Sequence, residues 1–467
     1  MEENLEVKEE TQVEETPKKE SFFKQTFKFE DGTFNKKNLI ITCAILVLAL
    51  VITILTGVTY QKFKKYQAFF DTSKVTYIDH IGNYSPKLRG VGADTEVYVI
   101  AGPDADVSAD GIGDITNCPS VLIMGGTHPN EPSGQLTATL FLENITVNSN
   151  TVIFIMTETN KSAYTYSYPQ EASPMYYSLT TRTGATRTFK FGTRATNNTD
   201  QWPNPDIYVT ALGNKLSSSD TRNLNRSYPG VINGTYSERI AYGVTEMIKK
   251  HDIKVVIDLH EASPEYVTIN AVVYHQEAGS IAGGVMMMND YGVDIAINES
   301  PVNLHGLTHR EIGDATDALV FLAETSNASQ GKIRGAFKES LITYTEKDKF
   351  YEKARELTEE GNKILYGYPL EISERVARHS YTILEILYYY NRAVQQSSGF
   401  STVSDPERRT FLKSCGKLNF DLPLLTKVPT DEQDQYTDYF GKEEQYKKTV
   451  YDVLVDYGLG YFLSDPE

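Results

Sequence analysis

In the segment Gly125 to Gly134 (GGTHPNEPSG), His128 and Glu131 stand three residues apart, between an apolar run and an expected helix. An imidazole and a carboxylate at that spacing can face one cation, and rigid elements on either side would hold them there. Alone, His-x-x-Glu says little, because two solvated loop residues satisfy it equally well. A third donor changes the reading. Val255 to Ser263 (VVIDLHEAS) places His260 at the end of another apolar run. Catalytic zinc commonly takes three protein ligands from His and Glu and keeps one position open for water. In open α/β sheets, sites form beyond the carboxyl ends of strands, so the two segments can converge. His128, Glu131 and His260 are therefore expected to hold one Zn²⁺ per chain. His305 and His309 form an i, i+4 pair that could also bind metal, but no strand delivers them, and a loop role near the site is expected. The three cysteines exclude a thiolate metal centre. Cys43 lies in an apolar run, and Cys118 and Cys415 read as two free buried thiols.

The elements that must position these residues are short apolar runs. EVYVIAG (Glu96 to Gly102), SVLIMGG (Ser120 to Gly126), TVIFIMT (Thr151 to Thr157), KVVIDLH (Lys254 to His260) and ALVFLAET (Ala318 to Thr325) read as strands. Helical patterns fall at Pro132–Glu143, with Pro in the first turn, at Ser237–His251 and at Tyr344–Tyr366. Continuous apolar strands alternating with helices predict an α/β fold whose sheet is buried on both faces. Lys161 to Asn223 is rich in Tyr, Thr and Asn with little periodicity, and reads as an insertion or functional loop.

The net charge of −17 disfavours nucleic acid as a partner, since a polyanion would be repelled. Leu39 to Val58 carries no charge over 20 residues. A helix of that length spans roughly 30 Å, the thickness of a bilayer's hydrocarbon core. A cleaved signal peptide fits poorly, because an acidic leader precedes the run where a short basic region is required. Lysines flank the run equally on both sides, so charge alone does not orient it. A soluble catalyst needs no anchor to stay in the cytoplasm, which favours a single-pass protein of the cell membrane with its N-terminus inside and the large domain outside. The expected organisation is a disordered acidic tail at 1–38, a transmembrane helix at 39–58 and a stalk at 59–74. A catalytic domain follows at 75–400, with the insertion at about 161–222, and a partly helical extension at 401–467.

Between the two ligand segments lies NLNRSYPG, Asn223 to Gly230. Together the motifs resemble the zinc carboxypeptidase superfamily, in particular its succinylglutamate desuccinylase/aspartoacylase branch. That branch shows Gly-Gly-x-His-x-Asn-Glu, Asp-x-Asn-Arg, Asp-Leu-His and a late Glu on a strand. Here they are Gly125-Gly126-Thr127-His128-Pro129-Asn130-Glu131, Asn223-Leu224-Asn225-Arg226, Asp258-Leu259-His260 and Glu324. The resemblance runs from about residue 95 to 340 and implies a mixed, largely buried sheet flanked by helices. It also implies a zinc-dependent hydrolase that cleaves an amide in a small N-acyl amino acid or peptide with a free carboxylate. Glu324 would be the general base, Arg226 and Asn225 would bind the carboxylate, and an upstream Arg would meet the polarised carbonyl oxygen. Arg182, Arg187, Arg194 and Arg222 compete for that last role, and Arg194 is favoured. One departure stands out. Asn223 occupies a position usually filled by Asp, which hydrogen-bonds a zinc-ligating His; an amide accepts the same bond without the charge that raises ligand basicity. The alternatives are a carboxypeptidase acting outside the cell on cell-wall or other peptides, and an inactive sensor module on a membrane anchor.

Overall fold

The apolar runs become neighbouring strands of one sheet. The computed structural model describes residues 28, 33, 35–65 and 69–466, except 91–93, 166–173, 345–347, 362, 398–410, 413 and 437–448. Most of the tail expected to be disordered lies outside the described residues. The chain divides into two units, Met1–Tyr66 and Gln67–Glu467.

The first unit contains helix α1, Lys36–Lys65. It extends past the apolar run at both ends, because the flanking lysines and glutamine are good helix formers. Lys36–Thr59 contains an apolar 18-residue window with none of it buried, so the helix is long and apolar enough to cross a membrane.

The second unit is built on eight strands: β1 (Tyr77–His80), β2 (Glu96–Ala101), β3 (Ser120–Met124), β4 (Val152–Met156), β5 (Val255–Ala262), β6 (Ala271–Tyr274), β7 (Ala296–Glu299) and β8 (Leu319–Ser326). Their order across the sheet is β1-β2-β4-β3-β5-β8-β6-β7. The four central strands β4, β3, β5 and β8 run parallel. The sheet is antiparallel at β1/β2, β2/β4 and β8/β6. Helices α2 (Pro132–Asn144) and α5 (Ile372–Ser397) pack on one face, α3 (Tyr236–His251) on the other, and the short α4 (Thr308–Ala315) runs into β8.

The strand side chains divide between two cores as their two-residue period demands. Val121, Ile123, Val255, Ile257 and Phe321 join Leu136, Leu140, Val376 and Ile383 on one side. Leu122, Met124, Val256 and Val320 join Ile240, Val244, Met247 and Ile248 on the other. Both faces are covered, so the α/β architecture expected from the sequence is present. By the same parity Asp258 and His260 of β5, and Leu322 and Glu324 of β8, point to the α3 side. β5 and β8 pair in parallel along their whole length, which sets His260 beside Glu324.

The polar insertion contains two hairpins, Tyr176–Thr180 with Thr186–Lys190 and Ile207–Val209 with Lys215–Ser217. Arg187, from the first hairpin, is buried and clamps Glu143 of α2 with bonds of 2.9 and 2.5 Å. It also donates to the carbonyls of Phe69 and Ser464, tying the start of this unit, the insertion and the C-terminus to one helix.

Candidate metal centre and active site

His128 follows β3 through Gly125 and Gly126. Gly126 has φ +71°, and a Cβ there would lie 2.5 Å from the Tyr164 hydroxyl, so the turn requires glycine. Glu131 sits at the N-cap of α2 but makes no capping bond with its side chain. That carboxylate is engaged elsewhere. Its Oε1 lies 3.0 Å from His128 Nδ1 and accepts from Arg194 Nη1 at 2.8 Å. Its Oε2 lies 2.9 Å from His260 Nδ1 and accepts the Glu261 backbone N–H at 3.0 Å. His128, Glu131 and His260 are all at most 2% exposed, and one donor atom from each lies within 4.8 Å of the others.

Hydrogen bonding on the far side fixes the tautomers of both rings. His128 Nε2 faces Asn223 Oδ1 at 2.8 Å, and that oxygen also accepts the Asn225 N–H at 3.0 Å, so it is an acceptor and the ring nitrogen donates. His260 Nε2 faces Asp258 Oδ2 at 2.8 Å, a carboxylate oxygen that can only accept. Thr127 and Thr308 donate their hydroxyls to the same carboxylate. When neutral, each ring therefore turns an Nδ1 lone pair towards the Glu131 carboxylate. Two such lone pairs and a carboxylate repel one another unless a cation lies among them. The donor set fits a metal ion held by nitrogen and oxygen, with both histidines oriented from behind.

The titration shifts separate the two rings. Burial, and next the Arg194 charge, bring His128 down to about 4, so it is neutral. Burial opposes a charge on His260, but Asp258 and Glu131 outweigh it and hold its pKa well above the ordinary value. A proton on His260 Nδ1 thus meets Glu131 Oε2, and a metal bound there would displace it.

Glu324 stands beside His260 on the next strand, and adjacent strands lie about 4.8 Å apart. Its Oε2 is enclosed and has no hydrogen-bond partner among the described residues. Burial pushes its pKa up to about 8; His260 opposes the rise and Glu131 adds to it. Asn225 and Arg226 come from the turn before α3. Asn225 Oδ1 accepts from the Thr308 N–H at 2.9 Å, which leaves its NH₂ as the other end of the amide. Arg226 donates to the Asn225 carbonyl at 2.6 Å and has no carboxylate partner among the described ion pairs. Burial, followed by the nearby Arg194 charge, lowers its pKa.

One cleft of about 550 Å³ brings together Glu131, Arg194, Asn225, Arg226, His260 and Glu324. Of the four competing arginines, Arg194 alone lines it. Arg187 is committed to Glu143, Arg182 donates to the Lys427 carbonyl and Arg222 to the Thr196 carbonyl. His309 also lines the cleft, where its Nδ1 bonds Ser300 Oγ at 2.7 Å and burial brings its pKa down to about 3. His305 turns instead to Glu311. Cys118 and Cys415 are buried and are not joined in a disulfide.

Several partners were not read from the sequence. Asp258 shares a strand face with His260 at i, i+2, so the period of a strand was a usable signal. Thr308 and Asp220 carried none. Asp220 accepts from Asn223 Nδ2 at 3.1 Å, so Asn223 links that carboxylate to His128.

No family profile and no curated protein matches this chain. Its fold was also compared with solved structures. The chain is similar to structures of the branch its motifs resemble. A succinylglutamate desuccinylase/aspartoacylase from Rhodobacter sphaeroides shares 15% identity over 50% of this chain and 52% of its own, with a TM-score of 0.27. Product-bound cell shape determinant protein Csd4 from Helicobacter pylori shares 14% over 63% and 54%, with a TM-score of 0.36. Product-bound ectoine utilization protein EutE (DoeB) from Ruegeria pomeroyi shares 14% over 51% and 55%, with a TM-score of 0.29. The chain thus spans about half the length of these structures. At such scores the likeness carries no weight for activity, and the reading of the site rests on its own residues.

Proposed function

We propose that this chain is a zinc-dependent hydrolase that cleaves an amide in a small N-acyl amino acid or peptide bearing a free carboxylate. The observation that carries this reading is the buried His128–Glu131–His260 cluster, whose two Nδ1 atoms face one carboxylate with an unpartnered Glu324 oxygen beside them. Bound there, zinc supplies a Lewis acid for the scissile carbonyl and brings the pKa of water near neutrality. Arg226, with the Asn225 NH₂, binds the substrate's carboxylate through the planar fork of the guanidinium. Arg194, already at the cleft wall, donates to the carbonyl oxygen as negative charge develops on it. Glu324 accepts a proton from water as the water oxygen bonds to the carbonyl carbon. It then returns that proton to the nitrogen as the C–N bond breaks, leaving one carboxylate and one free amine. Asp258 and Asn223 keep the two imidazoles in the tautomer the metal needs.

Helix α1 is proposed to anchor the protein in the cell membrane as a single pass, N-terminus inside and the second unit outside. Its length and composition support the span. The deciding experiment for the activity is a hydrolysis screen of the full-length protein in detergent, with zinc, against acylated amino acids and cell-wall peptides. Release of free amine, abolished by a zinc chelator, is the expected result; no release from any carboxylate-bearing amide would end this reading.

A further inference from the structure

The cleft has a second wall that the chemistry above does not use. Leu322 lies two residues before Glu324 on β8 and therefore points to the same side of the sheet. Val273 of β6 pairs directly with it. Both line the cleft and are nearly buried, at 2% and 7% exposed. Leu304 and Leu307 line the same cleft from the loop before α4.

That loop is fixed against the carboxylate-binding turn. Gly306 has φ +88°, and a Cβ there would sit 2.5 Å from the Arg226 carbonyl oxygen. The Gly306 carbonyl accepts the Tyr228 N–H at 3.1 Å, and Thr308 holds Asn225. Leu304 and Leu307 are thereby set next to Asn225 and Arg226 by backbone geometry.

We infer that this aliphatic lobe receives an apolar side chain, on the same substrate residue whose carboxylate meets Arg226. The inference rests on the hydrolase reading and names its substrate class: N-acylated leucine-, methionine- or phenylalanine-like residues, or peptides ending in one. A substrate residue held at its carboxylate by Arg226, with its amide nitrogen towards Glu324, has its side chain left to project at the wall between them. That wall is Leu322, Val273, Leu304 and Leu307. A charged side chain there would lose hydration without gaining a counter-charge: the polar neighbours are Asn298, exposed and paired with Val273, and His309, whose Nδ1 is bonded to Ser300. Glu299 also lines the cleft, but it pairs with Tyr274, out of phase with Val273, and is exposed on the edge strand β7.

The test uses full-length protein in detergent with zinc and a series of N-acetyl amino acids that differ only in side chain. One missing methylene in a hydrophobic pocket costs about 10–200-fold, so kcat/KM for leucine should exceed that for alanine by at least about 10-fold. Aspartate and lysine should fall below alanine. Hydrolysis that prefers aspartate or lysine to leucine would overturn the inference while leaving the hydrolase reading intact. Leu304 is 42% exposed, so Leu304→Asp should fold, and it should collapse the leucine preference to a few-fold or less. Leu307→Ala provides a second, milder variant. An unchanged leucine-to-alanine ratio in both would also overturn it. A binding readout keeps the two readings separable: free leucine should raise the melting temperature more than aspartate at equal concentration, with or without turnover. The reverse order would refute the lobe whatever happens to activity.

Discussion

Asn223 is where the chain's electrostatics can be tested by exchange of a single atom type. Its Oδ1 accepts from His128 Nε2 at 2.8 Å, while its Nδ2 donates to Asp220 at 3.1 Å. A neutral hydrogen bond contributes about 0.5–1.5 kcal/mol net, and one to a charged group about 1.5–3 kcal/mol. Exchanging the amide for a carboxylate should therefore strengthen the hold on His128 by about 1–1.5 kcal/mol, or roughly 10-fold in zinc affinity. The same exchange sets two carboxylates against each other. At about 3.5 Å, with an effective dielectric between 20 and 80, their repulsion is about 1–5 kcal/mol. The repulsion cancels or exceeds the gain, so Asn223→Asp alone should leave zinc affinity unchanged or lower it. Asn223→Asp combined with Asp220→Asn removes the repulsion and should bind zinc about 10-fold more tightly than wild type. Competition against a zinc chelator measures all four proteins and closes a double-mutant cycle. A 10-fold gain in the single variant, or no gain of the double over the single, would refute the claim that Asp220 and Asn223 act as one unit behind His128.

Three further outcomes follow from the site. Glu324→Gln should retain zinc but lose about 10²–10⁴-fold in turnover, because an amide cannot take the proton; retention of more than about half the activity would remove Glu324 from that role. Arg226→Lys should lower kcat/KM and Arg226→Ala should lower it further, both at unchanged zinc content. A substrate amidated at its carboxylate should be poor for wild type yet little affected by the Ala change, and simple additivity would show that the two do not meet. Zinc affinity should rise with pH: His260 is held well above its ordinary pKa, so zinc must displace its proton, and below that pKa each pH unit lost costs about 10-fold. Glu324, pushed up to about 8, adds a second released proton if the cation ionises it, bringing the slope towards two. A flat profile in chelator competition would contradict both.

The positions of the candidate site residues were legible because strands announce themselves by continuous apolar runs. Every run read as a strand is one within two residues, and His128, His260 and Glu324 fall at or near strand ends as their motifs suggested. Helix α5 was not read, for a physical reason. It buries Arg375, His379, Ser380, Thr382 and Glu385, residues whose polarity hides a core-facing helix until their partners are known. Arg375, for instance, is matched by Glu261 on β5, far away in sequence. β6 and β7 have four residues each, too few for periodicity to stand out. Arg194 could be favoured but not isolated, since nothing local separates it from Arg187, and only tertiary structure shows the latter committed to Glu143. The Asp220–Asn223–His128 chain was out of reach for the same reason: its ends are brought together by the insertion.

The central claim is that His128, Glu131 and His260 hold a catalytic metal. Elemental analysis of the purified full-length protein, after dialysis against metal-free buffer, tests it directly. The account predicts about one zinc per chain, as a three-ligand catalytic site requires, with His128→Ala reduced to background. Wild-type protein that hydrolyses its substrate at full rate without bound metal, or His128→Ala protein that keeps its zinc, would contradict it.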